Sequence, residues 1–381
     1  MRDFFNKTAA THFLFPIDGD CINAADGTAT KDGINFTATI ASAPGCKVTV
    51  NGLPATEKDG AYAADLYINP GRTVLHAKNE TDGTETSISV YFLPRSMGKY
   101  RISSDDNILF LADITQNKDV YTSIFENPYL AVYKKAHDLY GAKVHLNIFY
   151  AFNRDAARCF TSDRPDFDLS MVTDKFKAEW EANADWLKLS FHARSEYPGM
   201  PYKFAAPETI TADYLAVRRE VLRFAGEATF STDVTTVHWG EANPACAAAL
   251  RDLGHKALTG YLTLNKKTGD PSVSYYLPAD LVKHLDERDF WRDTEMGMTF
   301  GRIDRVTNIG PFEQVMADMH DIIAHPHRSG FVSIMIHEQY FYEDYKGYLP
   351  DFEARVLEPA KLLFENGYKG TFIKEVISES L

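Results

Sequence analysis

Asp113, His192, His238 and His337 each end a mostly apolar run, and their side chains are of the kinds that bind metal ions and transfer protons. In parallel α/β folds, functional groups gather at the carboxyl ends of the strands. Three of the 12 histidines fall at such ends. This joint placement favours a functional site over three unrelated structural histidines.

His192 and Glu196 lie four positions apart in His192-Ala-Arg-Ser-Glu196. An imidazole and a carboxylate at this spacing can share one ion if the segment coils into a turn. Asp113 from a neighbouring strand would complete the set. These ligand types predict one divalent metal ion, with Zn²⁺ the first choice and Mn²⁺, Fe²⁺ and Ni²⁺ as alternatives. The alternative for Glu196 is a surface carboxylate paired with Arg194 or another neighbour.

Beyond residue 99, apolar runs alternate with segments that carry helix start and stop signals, such as Asn127-Pro128 followed by Gly141. Strands separated by crossover helices must be parallel, and seven such units favour an α/β fold with a closed or nearly closed (β/α) barrel. A doubly wound open sheet is the alternative. The predicted strands are 108–113, 143–150, 186–192, 234–238, 256–262, 331–337 and 371–376.

The stretch 265–310 interrupts this alternation between the fifth strand and its helix. It contains the aromatic residues Tyr275, Tyr276, Phe290 and Trp291. We interpret it as an insertion that forms a lid or a wall of the site.

The amino-terminal quarter has a different pattern, in which short β-like segments alternate with turn pairs such as Asn51-Gly52, Asp59-Gly60 and Asp82-Gly83. This spacing predicts a small all-β antiparallel sandwich over residues 1–94. The segment 94–98 then forms a boundary, and a second domain is expected over 99–381.

The composition of the 381-residue chain, 45% apolar and 24% charged, is that of a globular protein. Its net charge of −13 repels phosphate backbones and anionic lipid, which argues against nucleic-acid and membrane-surface partners. No window approaches the roughly 18 apolar residues of a membrane span. The first seven residues lack the apolar stretch of an export signal, so the sequence by itself predicts a cytoplasmic location. The oligomeric state stays open.

Around its candidate site residues the sequence resembles the polysaccharide deacetylase (NodB-homology) family, over about residues 105–381. Asp113 matches the metal-binding aspartate of the family's first motif, Thr-Phe-Asp-Asp-Gly-Pro, and Ala112 stands where that motif has its catalytic base. His192-Ala-Arg-Ser-Glu196 resembles His-Ser/Thr-x-x-His, with a carboxylate replacing the second imidazole. Ile334-Met-Ile-His337 fits the last motif, Leu-x-His, whereas Thr236-Val-His-Trp-Gly240 keeps only the glycine of Arg-x-Pro-x-Gly.

The resemblance implies an irregular (β/α) barrel of the glycoside hydrolase/deacetylase type that acts on acetylated glycans. Asp113, His192 and Glu196 would hold the metal, and His337 would protonate the leaving group. With Ala112 in place of the base, His238 and Glu241 are the nearest substitutes. Loss of the base without replacement would cost about 10²–10⁴ in rate.

Three functions follow as hypotheses. The first is a divergent metal-dependent deacetylase-like hydrolase acting on an acylated sugar or a related amide. The second is a non-catalytic glycan-binding protein that has lost the base. The third is a glycosidase, for which Asp113, Glu196 and Glu241 are the available carboxylates. Each has a carbohydrate partner, and the family resemblance implies an extracellular or envelope setting.

The amino-terminal segment resembles the bacterial immunoglobulin-like or cadherin-like modules that accompany carbohydrate-active enzymes, notably in Lys47-Val-Thr-Val-Asn-Gly52 and the Pro70-Gly71 turn. Such modules are usually spacers. A spacer or docking role is therefore expected here.

Overall fold

The computed structural model describes residues 3–377 and has a β-rich amino-terminal part followed by a mixed α/β part. The strands of the first part are β1 (His12–Phe15), β2 (Cys21–Ile22), β3 (Thr28–Ala29), β4 (Ile34–Ala41), β5 (Val48–Val50), β6 (Leu53–Lys58), β7 (Ala61–Ile68), β8 (Gly71–Asn79) and β9 (Glu85–Phe92). The strands of the second part are β10 (Lys99–Asn107), β11 (Val144–Phe149), β12 (Ala151–Phe152), β13 (Phe167–Asp168), β14 (Leu187–Ala193), β15 (Phe230–Ser231), β16 (Val234–Thr235), β17 (Ala257–Gly260), β18 (Thr263–Leu264), β19 (Pro271–Ser272), β20 (Phe290–Asp293), β21 (Met298–Arg302), β22 (Arg305–Val306), β23 (Phe331–His337) and β24 (Lys369–Gly370). The helices are α1 (Leu109–Gln116), α2 (Pro128–Tyr140), α3 (Arg154–Ala157), α4 (Lys177–Ala182), α5 (Pro207–Phe224), α6 (Pro244–Asp252), α7 (Ala279–His284), α8 (Phe312–Ala324), α9 (Phe352–Glu365) and α10 (Ile373–Ile377).

The amino-terminal part is one curled sheet with the strand order β1-β4-β7-β6-β5-β8-β9-β2. Its long strands alternate buried and exposed residues, as in β4, where Ile34, Phe36, Ala38 and Ile40 are buried. This period of two places one apolar face inside the curl. The predicted antiparallel strands are thus confirmed, and β6 joins the two halves by pairing with both β5 and β7.

The second part contains two mainly parallel sheets. The larger one curls in the order β15-β14-β11-β10-β23-β22, with β24 beside β10, and the smaller one has the order β16-β17-β21-β20. The main-chain ladder is broken between them. Thr235 Oγ1 donates to the carbonyl of Phe191 across one gap. Within the described residues, the second part is therefore a half-barrel sheet beside a second sheet, which confirms the mixed α/β class without showing the predicted closed or nearly closed seven-stranded barrel.

The first predicted strand, 108–113, is wrong: these residues enter helix α1, and the strand is β10, which ends at Asn107. The inward positions of β10 include Arg101 and Ser103, which are 1% and 0% exposed. Arg101 donates to Ser333 and Thr259 inside the sheet. A buried strand with polar inward side chains lacks the apolar run by which strands are recognised. The nearest apolar run belongs to α1, so the sequence pattern places the strand there.

The last predicted strand, 371–376, is also wrong, because helix α10 occupies most of it and β24 precedes it. Glu375 caps this helix by accepting from the Phe372 amide at 2.9 Å. Four of the remaining strand predictions are confirmed in position as β11, β14, β17 and β23, whereas only the first two residues of the predicted strand 234–238 form a strand, β16. Among residues 3–377, no helix is long and apolar enough to cross a membrane.

The stretch 265–310 contributes to the framework, because it supplies β20 and β21 of the smaller sheet. Trp291 is 1% exposed and donates through Nε1 to the carbonyl of Asp18 at 2.8 Å. Only part of the stretch, including Val273 and Ile303, faces the large cavity described below. This stretch therefore joins the two parts of the chain as well as forming a wall.

The surface where the two parts meet, here called the seam, combines main-chain pairing with buried charges. Asp20 bridges to Trp291 in antiparallel fashion. A Cβ on Gly19, whose φ is +89°, would lie 1.9 Å from the Arg292 carbonyl oxygen, so only glycine fits there. Asp20 pairs with His284 at 2.7 Å and Asp26 with Arg288 at 2.5 Å.

Candidate metal centre and active site

A cavity of about 380 Å³ opens at the carboxyl ends of β10, β14 and β23. Its lining includes Asp105, Asp106, His192, His238 and His337. His192 and His337 lie where the apolar strands β14 and β23 end, as predicted. His238 begins a short 3₁₀ turn just after β16.

Asp106, His192 and His238 form the one group of potential metal ligands found in the described part of the chain, and all three are buried. Asp106 Oδ1 lies 3.0 Å from His192 Nε2 and 3.2 Å from His238 Nδ1. The two imidazole nitrogens are 3.1 Å apart. Ligand atoms about 2.1 Å from a tetrahedral ion would be about 3.4 Å apart, so the three atoms need to move only slightly to hold one.

The outer nitrogen of each imidazole is tied to a backbone carbonyl. His192 Nδ1 contacts the Thr236 carbonyl oxygen at 2.5 Å, and His238 Nε2 contacts that of Glu196 at 3.0 Å. A carbonyl oxygen only accepts, so these nitrogens carry the hydrogens and the inner nitrogens of the neutral rings present lone pairs. Three acceptor atoms then converge with no donor between them, which is the donor set of a divalent cation.

The charges of the site oppose the effect of burial. Burial raises the pKa of Asp106, but His192 and His238, which donate to its carboxylate when their rings carry the second proton, outweigh burial and bring the pKa well below its ordinary value. Burial lowers the pKa of His192, but Asp105 and Asp106 outweigh it and raise the pKa. The pocket therefore favours the carboxylate form and attracts positive charge.

The backbone of Asp106 is in the left-handed region, with φ at +62°. For a residue other than glycine this conformation costs about 1–3 kcal/mol and persists only where its surroundings hold it. One such contact is from Gln339, whose Nε2 donates to Asp106 Oδ2 at 2.7 Å. The same nitrogen lies 3.2 Å from Glu196 Oε2.

Asp105 and His337 are register partners on the neighbouring strands β10 and β23. Asn147 Nδ2 donates to Asp105 Oδ1 at 2.6 Å. His337 Nδ1 contacts Asn308 Oδ1 at 2.9 Å, so Nδ1 carries a hydrogen and Nε2 is the nitrogen able to exchange a proton. The cavity thus holds a carboxylate and an imidazole suited to acid–base chemistry beside the three acceptors.

Asp113 does not join this group. It lies on α1, where its carboxylate accepts from Asn127 at 2.7 Å, Tyr121 at 3.0 Å and Asn117 at 3.0 Å. Its expected place at a strand end followed from the misplaced first strand. Ala112, on the same helix, packs against the core. It is therefore no marker of a lost base, since the strand end is occupied by Asp105 and Asp106.

The other predicted site residues differ in how close they lie to the ligand group. His238 meets His192 and Asp106 directly. Glu196 lines the cavity, but its carboxylate is outside the three-ligand group, and burial together with Asp106 raises its pKa to about 8. Glu241 lies outside the cavity lining, where it pairs with Lys203 at 3.3 Å.

Asp105 and Asp106 are the site residues that sequence reasoning missed. The signal available was the pair of adjacent aspartates followed by Asn107, placed just before the apolar segment of α1. Assigning the preceding residues 99–104, in which polar and apolar side chains alternate up to Ser103, to a strand would have placed both carboxylates at its carboxyl end.

No family model matches the sequence, and no curated protein matches it. Among solved structures, a CE4 family pseudoenzyme from Bacillus anthracis is similar, with 9% identity, coverage of 81% of this chain and 85% of that chain, and a TM-score of 0.34. A mutant CE4 family pseudoenzyme has 10% identity, 78% coverage of each chain and a TM-score of 0.34. The catalytic domain of a GH26 endo-β-1,4-mannanase from a Bacillus species has 13% identity, coverage of 75% and 82%, and a TM-score of 0.28.

Proposed function

We propose that this chain is a metal-dependent hydrolase of the carbohydrate deacetylase class, acting on an acylated sugar or a related amide. The observation that carries the proposal is the convergence of three acceptor atoms, from Asp106, His192 and His238, beside Asp105 and His337 in one cavity. A carboxylate and two imidazoles suit Zn²⁺, and also Mn²⁺, Fe²⁺ and Ni²⁺.

In the proposed reaction each group has one task. A divalent ion held by Asp106, His192 and His238 would polarise the acyl carbonyl and acidify water. Asp105, oriented by Asn147, accepts a proton from the attacking water. His337 Nε2 delivers a proton to the leaving nitrogen or oxygen as its bond to the acyl carbon breaks. In this proposal, Asp105 and Asp106 would correspond to the two adjacent aspartates of the deacetylase motif.

The finer architecture belongs to the same proposal. We assign the two facing sheets to an irregular (β/α) barrel closed partly by side chains, such as Thr235. We assign residues 1–94 to an immunoglobulin-like module with a spacer or docking role, and residues 99–381 to the barrel. Residues 1–2 and 378–381 lie outside the described range.

The metal assignment is tested by elemental analysis of the purified protein. Wild type should hold about one divalent ion per chain, and Asp106→Ala should lose it. Asp113→Ala is the matched control, because it removes a hydrogen-bonded aspartate seven positions away that lies outside the ligand group. Equal metal content in wild type and Asp106→Ala would contradict the assignment.

The chemistry is tested by acetate release from chitin oligosaccharides and acetylated xylan. Asp105→Asn should lower the rate by about 10²–10⁴ while keeping the metal, as expected for loss of a general base. Glu241→Gln should leave the rate unchanged, because Glu241 lies outside the cavity. Equal losses in both variants would remove Asp105 from this role.

A glycan-binding protein without turnover is the second candidate. Trp239, at the cavity rim, is 48% exposed, and Tyr340 and Tyr345 also line the cavity. The exposed face of Trp239, with the half-buried tyrosines beside it, suits stacking on a sugar ring. A metal-loaded wild type that binds these oligosaccharides but releases no acetate would favour this function over the first.

A further inference from the structure

Glu338, the residue after His337, is completely buried. Its side chain contacts the amino terminus of helix α1, which follows strand β10. Its carboxylate accepts from three successive amides, those of Ile108 at 2.6 Å, Leu109 at 2.9 Å and Phe110 at 2.6 Å. Tyr342 Oη donates to the same carboxylate at 2.7 Å. We call this arrangement the Glu338 clamp.

Helix α1 depends on this clamp because it has no cap of its own. The residue at its N-cap position is Ile108, which makes no side-chain capping bond. The first amides of a helix have no partners within the helix and carry partial positive charge, which a carboxylate satisfies well. Here that carboxylate comes from a residue 230 positions away in the chain.

The clamped amides follow Asp106 almost directly, which links the clamp to the candidate metal centre. Asp106 has the left-handed backbone conformation described above, and only Asn107 separates it from the first clamped amide. Next to Glu338, Gln339 donates to the Asp106 side chain at 2.7 Å. The turn after β23 therefore holds the end of β10 twice, once through the main chain and once through the side chain of Asp106.

We propose that Glu338 is a positioning residue that fixes Asp106 in its ligating conformation and thereby couples the strand of His337 to the metal centre. The inference rests on the proposed function, since it requires that Asp106, His192 and His238 hold an ion. Partners that orient a metal ligand typically change metal affinity 10–100-fold when they are replaced.

The test is a titration of the metal-free full-length chain with Zn²⁺ by calorimetry and with Co²⁺ by visible absorption. Burial raises the pKa of Glu338 to about 7, so the titrations are run at pH 8 to keep it ionised. Glu338→Gln should bind Zn²⁺ about 10–100-fold more weakly than wild type. The Co²⁺ spectrum should change as well, which general destabilisation would not produce.

Asp113→Asn is the matched control, because Asp113 is a carboxylate on the same helix that also accepts three hydrogen bonds. It should lower thermal stability yet keep the wild-type affinity and spectrum. Glu338→Gln is chosen because it preserves the shape of the side chain while removing its charge.

The outcomes separate the two proposals. Binding by wild type with equal affinity and spectrum in Glu338→Gln would overturn the positioning role and leave the metal centre intact. An absence of any binding by wild type would overturn the metal centre, and Glu338 would then be a helix cap only.

Discussion

The two ends of the α/β part both bury carboxylates and imidazoles, but they arrange them in opposite ways. At the seam, aspartate carboxylates face nitrogen donors, as in Asp20 with His284 and Asp26 with Arg288. At the cavity, Asp106, His192 and His238 present three acceptors to one another. The first arrangement is complete by itself, whereas the second is completed by a cation. The difference shows that residue types alone do not distinguish a structural cluster from a functional one, whereas the pairing of donors with acceptors does.

The largest effect is expected from breaking a seam pair. Asp26→Ala removes the carboxylate that accepts from Arg288 Nη1 at 2.5 Å, and Arg288 is only 7% exposed. Removing one member of a buried ion pair costs about 3–5 kcal/mol. Urea unfolding should show this loss, and metal content should stay at the wild-type level. A loss below about 1 kcal/mol would mean that the pair is not a structural element of the seam.

The next effect is a dependence of stability on pH that arises from Asp304, at the same end of the α/β part as the seam. Burial raises the pKa of Asp304 to about 6, although Arg302 and Arg328 lower it. Asp289, also buried, has its pKa raised well above the ordinary value by burial and by Asp304. The folded state therefore keeps the Asp304 proton to higher pH than the unfolded chain does. Its contribution to stability is full below about pH 3.8 and is lost as the pH rises through about 6.

The shift of Asp304 corresponds to at most about 3 kcal/mol between those limits. Urea unfolding between pH 4 and 8 should show this decline in wild type and a shallower one in Asp304→Asn. Parallel curves for the two proteins would exclude Asp304 as the source.

The smallest effect is the stabilisation of the folded protein by metal binding at the cavity. Zn²⁺ at 100 times its dissociation constant should raise the free energy of unfolding by about 2.7 kcal/mol, because it binds the folded state only. The same gain should appear in Asp26→Ala and be absent from His192→Ala. A gain that persists in His192→Ala would place the ion elsewhere.

The parts of the site that could be predicted from the sequence lie at the ends of strands rich in apolar residues. His192 and His337 end β14 and β23, whose apolar runs mark them clearly. Asp105 and Asp106 were missed because β10 carries the polar side chains of Arg101 and Ser103 toward the interior, where residues of other strands satisfy Arg101. That satisfaction comes from residues far away in the chain, so no local pattern reveals it.

His238 and Glu241 show a second limit of sequence reasoning. Both follow β16 closely, and both were plausible substitutes for a base. The 3₁₀ turn at His238 directs one imidazole to Asp106, while Glu241 pairs with Lys203 instead. The direction of this turn depends on the left-handed backbone conformation of Trp239, whose φ is +62°. A tryptophan in the sequence does not predict that conformation.

The close approach of Gly19 to Arg292 has a consequence for how this chain can have evolved. Modules attached by flexible linkers can be exchanged by recombination, because a cut in the linker breaks no contacts. Here a crossover between β9 and β10 would separate Gly19 from the carbonyl it must accommodate and Asp20 from its main-chain partner at Trp291. The two parts are therefore expected to have been inherited together, and in a comparison of related sequences a glycine at 19 should accompany the 290–293 strand.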